Sequence, residues 1–226
     1  MYICCTITNY EGRPQANFHD YSFLRRGFMK KVITFVVFLS GLLISSISTA
    51  NCGHYIGEYY QGGVIFYLDQ TGSHGLIAAI DDSSVNGGQI KWSENLRKIN
   101  VGINRNGIGA GEVNTKAIIS TQGPGKYAAS VAASTRDGGY DDWYLPSLSE
   151  LKLMFARRSV IGGFNVEECG YYGRLCDYNL YWSSNHSTFD MSYAFVQSFS
   201  SDNAVDANLH ARLKDTTARV RPIRHF

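Results

Sequence analysis

The clearest hydrophobic pattern in the chain is a pair of β-branched and aromatic runs. They are Val64-Ile65-Phe66-Tyr67-Leu68 and Gly75-Leu76-Ile77-Ala78-Ala79-Ile80, with Gln70-Thr71-Gly72-Ser73 between them. Two such runs around a polar turn predict a β-hairpin, opened by Gly62-Gly63. Residues 83–113 are rich in Gly, Asn and Ser around Trp92 and read mostly as loop. A helix is predicted next, capped at Asn114 or Thr115 and running through Ile119. Gly123-Pro124-Gly125 interrupts it, and Lys126–Ser134 resumes helical spacing at Tyr127, Ala128, Val131 and Ala132.

The strongest local signal is Leu145-Pro146-Ser147-Leu148-Ser149-Glu150. Ser147 can accept from the Glu150 amide while Glu150 reaches back to the Ser147 amide, a capping box. Leu148, Leu151, Met154 and Phe155 then form one apolar helix face, with Arg157-Arg158 suiting the final turn. Three short strands follow: Tyr181-Trp182-Ser183, then Tyr193–Phe199 with Tyr193, Phe195 and Phe199 on one face, then Arg219–Arg224. Pro222 marks the last as an edge or a strand end. Two helices between an N-terminal hairpin and a C-terminal meander give an α+β class.

Composition agrees with an ordered globular chain. Hydrophobic positions make up 44% and charged ones 18% of 226 residues, which excludes disorder and suits one domain or two small ones. The charge is unevenly placed. Removing the five basic and two acidic residues of positions 1–50 from totals of 21 and 19 leaves 16 basic and 17 acidic, a net of −1 over 51–226. Binding to nucleic acid through phosphate contacts is therefore not expected.

The basic excess belongs to a leader. Met29-Lys30-Lys31 precedes an apolar run from Val32 to Ile44, and small residues at Ser48 and Ala50 complete a secretory signal peptide over 29–50, cleaved after Ala50. The run is shorter than the ~20 residues of a transmembrane helix, so membrane contact is expected only through this transient segment. Asn51 before Cys52 leaves no lipobox. Residues 1–28 read as an over-extended translation start; the other reading, a twin-arginine signal at Arg25-Arg26, has Leu24 where Ser or Thr is usual. Either way the protein is expected outside the cytoplasm, in the periplasm, at the cell surface or secreted. Cys4 and Cys5 fall in the leader. Of the remaining three cysteines, Cys169 and Cys176 are expected to pair in an oxidising compartment, leaving Cys52 over. No Cys-x-x-Cys pair supports a zinc site, and no metal or other cofactor is expected.

Several motifs recur together in one order. They are Gly62-Gly63-Val64-Ile65-Phe66-Tyr67, His74-Gly75-Leu76-Ile77-Ala78-Ala79, Ile108-Gly109-Ala110-Gly111 with Asn114-Thr115, and Gly139-Tyr140-Asp141-Asp142-Trp143-Tyr144-Leu145-Pro146-Ser147. Glu150-Leu151, Tyr181-Trp182-Ser183-Ser184 and Val220-Arg221-Pro222-Ile223-Arg224 complete the set. From about Tyr60 to Phe226 the chain resembles the bacterial DUF1566 domain, also called the Lcl C-terminal domain family, the module that ends the Legionella collagen-like adhesin. The resemblance implies a single domain over 51–226 with a C-type-lectin-like fold, in which two helices flank a small twisted, mainly antiparallel sheet with long loops. It also implies an exported surface protein, with polyanionic glycan binding in the adhesin branch. This chain has no Gly-X-Y collagen stalk, so trimerisation and the multivalency it brings do not carry over.

Candidate chemistry is weighed against ordinary structural roles. The Glu-Pro-Asn, Gln-Pro-Asp and Trp-Asn-Asp signatures of calcium-dependent lectins are absent from the sequence. Asp202, Asn203, Asp206 and Asn208 supply some oxygens, but a polar hairpin loop accounts for them better than calcium. Asp137, Asp141 and Asp142 read as a tight turn before Trp143. Gly107-Ile108-Gly109-Ala110-Gly111 fails the phosphate-loop pattern, no Gly-x-Ser-x-Gly elbow occurs, and His54, His74, His186, His210 and His225 suggest no triad. The copper-binding Cys pair of formylglycine-generating oxidases lies close before the last strand, whereas Cys169 and Cys176 precede Tyr181. An enzyme is thus the alternative reading, together with an envelope-assembly accessory. Trp143, Pro146 and Trp182 are assigned to the framework, and Arg219 and Arg221 to pairing with carboxylates. Arg212 and Lys214, with His210 in an expected loop, are the leading contacts for a sulfated or acidic glycan. The 93–113 loop carries Arg97, Lys98 and Arg105, of which Arg97 and Lys98 would contribute only if the loops converge.

Overall fold

The computed structural model describes residues 53–83, 88–94, 99–164, 179–199 and 209–226. The hairpin forms as expected: β2 (Gly63–Leu68) pairs antiparallel with β3 (Gly75–Ala79), with a register shift between Ile65 and Tyr67. Its turn is closed by the Asp69 carboxylate, which accepts from the Thr71 and Gly72 amides at 3.0 and 2.9 Å. A short β1 (Tyr59–Tyr60) lies on the outer side of β2, and β9 (Ile223–His225) lies on the other side of β3. The carboxy-terminal strand therefore completes a four-stranded antiparallel sheet with the first strands.

Gly62 must be glycine. Its φ is 92°, and a Cβ there would sit 2.6 Å from the Asp137 carbonyl. Gly138 makes the reciprocal approach to the Gly62 Cα at φ 64°. The two backbones touch at the 3₁₀ turn Asp137–Gly139, just ahead of Trp143.

Four helices follow the hairpin: α1 (Ala110–Gln122), α2 (Ala128–Ala133), α3 (Leu148–Ala156) and the single turn α4 (Arg158–Ile161). The expected start of α1 at Asn114 or Thr115 is corrected to Ala110. Gly109 in the left-handed region precedes it, with no side-chain cap of its own. Asn114 and Thr115 are buried and bond elsewhere, Thr115 to both the Leu145 amide and carbonyl. Helix α3 carries the expected capping box, with Glu150 N donating to Ser147 Oγ and Ser147 N to the Glu150 carboxylate at 2.7 Å. Leu151, Met154 and Phe155 are its buried face. The helix is interrupted at Arg157, whose backbone is non-helical, so Arg158 opens α4 instead of closing α3.

A second antiparallel sheet has the order β5 (Leu180–His186), β6 (Tyr193–Ser198), β7 (Leu209–Leu213). Two expectations change here. Ala194 and Val196 form the buried face of β6, while Tyr193 and Phe195 are only half-buried and Phe199 lies past the strand end. Ala194 and Val196 pack into the cluster with Ile118 of α1 and Ala128 of α2. The expected strand Arg219–Arg224 is really two pieces. β8 (Thr217–Ala218) pairs with β4 (Ile90–Lys91), and the chain then passes Tyr181 in a parallel bridge before entering β9 at Ile223. Pro222 stands just ahead of β9, as an end residue.

Three tryptophans anchor the interior. Trp92 and Trp182 share a cluster with Tyr127, Ile118, Leu145 and Val196, and Trp143 packs on Ile65 and Ile77. Trp92 sits in the long loop segment yet is fully buried, and its Nε1 donates to the Ser183 carbonyl at 2.9 Å. Trp182 Nε1 donates to the Ile90 carbonyl at 2.8 Å and Trp143 Nε1 to the Asp137 carbonyl at 3.3 Å. Each buried indole thus has a partner for its one donor. Residues Cys52–Phe226 behave as one compact unit, of α+β class. Among the described residues no helix is long and apolar enough to cross a membrane.

Candidate functional site

The segment Asn104–Gly107 is irregular, yet side chains from three other elements fix it. Asn114 on α1 brackets Arg105, accepting from its amide at 2.8 Å and donating to its carbonyl at 2.7 Å. Asn185 on β5 donates to the same carbonyl at 2.8 Å and to Asn104 Oδ1 at 2.9 Å. Asn104 in turn clasps the backbone of His186, donating to its carbonyl at 2.7 Å and accepting from its amide at 3.1 Å. Asn106 accepts from the Ser149 amide at 2.9 Å and Asn185 from the Leu148 amide at 2.8 Å, so this platform also caps α3. Ser147 Oγ closes it by donating to the Gly107 carbonyl at 2.8 Å. The backbone on each side of Arg105 is pinned and its side chain is exposed.

Glu150 supports the platform from beneath. Its buried carboxylate accepts from the amides of Gly109 (2.7 Å), Ser147 (2.7 Å) and Gly111 (3.2 Å), and from Tyr144 Oη at 3.1 Å. One side chain therefore caps two helices, its own α3 and α1 some forty positions earlier. A Cβ at Gly111 would overlap the Glu150 carboxylate and stand 2.7 Å from the Leu145 carbonyl. The Tyr144 hydroxyl also meets His225 Nε2 at 2.9 Å. Burial, and then the Glu150 carboxylate, hold this phenol far above its ordinary range, so it stays a neutral donor.

The leading contacts expected from sequence prove to lie in a different setting. His210 and Arg212 belong to strand β7, not to a loop, and Lys214 follows its end. Their cross-strand partners Val196 and Ala194 are buried, so His210 and Arg212 share the inward side of the sheet, at its half-buried margin. Burial, then the neighbouring Arg212 charge, lower the His210 pKa. Lys214 is fully enclosed. Its Nζ donates to the Ile99 carbonyl at 2.9 Å and sits 4.5 Å above the Trp92 ring. Burial lowers its pKa to about 8, against a partial restoring pull from Asp190. Lys214 is thus an internal tie between the sheet and the 99–109 segment, and an external ligand would not reach it as placed. Arg97, Lys98, Cys169, Cys176, Asp202, Asn203, Asp206 and Asn208 lie outside the described residues.

Arg219, Arg221 and Arg224 are engaged within the molecule. Arg221 is fully buried; its Nε donates to Asp82 at 2.7 Å, and its terminal nitrogens to the carbonyls of Ala79, Ile80, Gly162 and Gly163. Arg219 reaches the other Asp82 oxygen at 3.2 Å, and Tyr181 Oη donates there too. Arg224 forks onto Asp142 at 2.6 and 2.9 Å. Burial opposes ionisation of Asp142, but the Arg224 bonds outweigh it and its pKa falls below the usual value. Asp142 is therefore an ion-pair partner as well as a turn residue. Pro146 is buried, its carbonyl accepting from the Ser184 amide at 2.7 Å.

A cleft of about 290 Å³ lies between Asp81–Ser83, α2 and Asp137. Partial burial, then the Asp81 charge, raise the Asp137 pKa. Among the described residues no group of three or more His, Cys, Asp or Glu is placed to hold a metal ion.

Sequence reasoning passed over Asp82, Asn104 and Asn185, and it gave Asn114 the wrong task. The alternation Asn104-Arg105-Asn106 before Gly107 is a sequence signal for the platform, whereas nothing local marks Asp82 or Asn185. No protein-family model matches the chain, and no curated protein is detectably similar to it.

Proposed function

We propose that the chain is an exported, non-enzymatic binding or adhesion module of the DUF1566 family, with a C-type-lectin-like fold, and that it recognises acidic glycans through the platform that presents Arg105. The observation that carries this reading is the bracketing of Arg105 by Asn114 and Asn185, which orders the backbone and leaves the guanidinium in solvent. An ordered loop loses little conformational freedom on binding. A guanidinium fork matches sulfate and carboxylate geometry. Arg212 lies in the β-sheet row of His186, which Asn104 clasps, so the platform and this row of the sheet meet at His186.

The pairing of β9 with β3 and the flanking of the sheets by α1 and α3 support the fold reading. The Met29–Ala50 pattern supports export. With a net charge near zero over 51–226, affinity for an anion rests on local groups and weakens as salt shortens the Debye length to below about 10 Å.

Heparin-affinity chromatography tests this. Arg105→Ala is expected to elute at clearly lower salt than the unmodified protein with an unchanged urea midpoint, while Arg157→Ala, equally exposed after α3, elutes as the unmodified protein does. Equal elution for the unmodified protein and Arg105→Ala, or an equal loss for both variants, would overturn the assignment.

A further inference from the structure

The group that Asn104 clasps has unusual surroundings. His186 is only 4% exposed, and its Nδ1 lies 3.1 Å from the Ser187 carbonyl, which makes Nδ1 the protonated nitrogen. Nε2 is then a bare acceptor, buried and without a hydrogen-bond partner. The imidazole stands edge-on to Trp92 with centroids 6.0 Å apart, and the Lys214 ammonium lies 4.5 Å from the same indole. A buried cation and a buried bare imidazole therefore flank one ring.

We propose that His186 is an acid-operated latch on the Asn104–Gly107 platform: neutral, it holds the clasp closed, and its protonation beside Lys214 releases Arg105 from its fixed position. This deepens the glycan-binding reading and rests on it for its biological consequence, though the latch itself is a property of the free protein.

Protonation adds an N–H at Nε2, where none of the described residues offers an acceptor within hydrogen-bond distance, and a second positive charge near Lys214. Both disfavour the closed packing. Among the described residues, the charged and titratable groups near His186 are few. Lys214, beyond β7, is cationic, and Arg212 lies two strand spacings away across β6, about 10 Å. His210 is on the same strand as Arg212, and Arg105 lies on the clasped segment itself. Asp190, in the β5–β6 turn, is the carboxylate of this neighbourhood, and it already accepts from the Ser192 amide at 2.9 Å. Burial, with the Lys214 charge adding to it, lowers the His186 pKa against the opposing Ser187 bond.

The sign follows. A histidine harder to protonate when folded takes up its proton preferentially in the open state, so closure weakens as pH falls below about 6.5 and is fully retained above it. The backbone bonds that open are those of the platform, His186 N to Asn104 and Arg105 N to Asn114.

Amide hydrogen exchange on the unliganded protein reads this directly. Corrected for intrinsic rates, the Arg105 and His186 amides are expected to lose roughly tenfold of their protection between pH 7.5 and 5, while amides of the β2–β3 hairpin keep theirs. His186→Asn, whose side-chain amide can still donate to Ser187, is expected to abolish that pH dependence. If that variant does not fold, the imidazole titration of the unmodified protein followed by NMR decides alone: an apparent pKa at or above 6.5 overturns the latch. Protection at Arg105 that is flat with pH, or equally pH-dependent in His186→Asn, overturns it too. None of these readouts needs a glycan, so loss of heparin binding in Arg105→Ala tests the functional reading separately.

Discussion

Lys214 offers the sharpest energetic test, because a single buried ammonium leaves a signature in the pH dependence of stability. Its pKa falls from the ordinary 10.5 to about 8 on folding, chiefly through burial. Between those values the unfolded chain keeps a proton that the folded protein releases, so stability must rise with pH across that window. At one pKa unit per ~1.4 kcal/mol, the full rise is about 3 kcal/mol, with roughly 2 kcal/mol of it realised between pH 7.5 and 10. At neutral pH the cost is fully present and is offset by the bond to the Ile99 carbonyl and by the Trp92 ring, contributions of about 1 kcal/mol each. Replacing the residue as Lys214→Met removes cost and compensation together, so the change in stability at pH 7.5 should be small. The pH slope, in contrast, should change clearly. Urea unfolding of both proteins at pH 7.5 and 10 gives the difference of differences, in which other titrating groups cancel. The unmodified protein should gain about 2 kcal/mol over Lys214→Met on going to pH 10. Parallel pH profiles would refute the burial of an ammonium at this position.

Two further substitutions probe the buried network. Asp82→Ala strips the fully buried Arg221 of its carboxylate and should cost about 3–5 kcal/mol in urea unfolding; a loss below about 1 kcal/mol would contradict a buried pair at that site. Glu150→Gln replaces an anion that accepts from three amides and a phenol with a group that must turn one donor toward them. It should lower stability by about 2–3 kcal/mol and accelerate exchange at Gly109 and Gly111, and unchanged exchange there would count against the shared cap.

The elements legible in the sequence were those written locally. The hairpin over residues 63–79, the capping box at Ser147 and the apolar face of α3 each follow from residues a few positions apart. What escaped was set at long range. Helix α1 is capped at least five residues earlier than its polar residues suggest because Glu150, not Asn114, receives the Gly109 and Gly111 amides. Strand β7 looked like a loop because His210, Arg212 and Lys214 are polar, yet the buried face they join belongs to Ala194 and Val196 on the neighbouring strand. For the same reason Lys214 read as a surface cation: nothing in its sequence neighbours shows that Trp92 and the Ile99 carbonyl await it. The assignment of Arg221 to a carboxylate was legible from its alternation with Arg219; the identity of that carboxylate, Asp82, was not.

The central claim is that a preorganised platform around Arg105 binds an acidic glycan. It is tested most directly by titrating a heparin-derived oligosaccharide into the protein at pH 7.5 and mapping backbone shifts by NMR. The account predicts saturable, salt-sensitive perturbations centred on Ile103–Gly107 and reaching Arg212, and their loss in Arg105→Ala. Perturbations centred elsewhere, such as the Asp81–Asp137 cleft, or no saturable response at low salt, would contradict it.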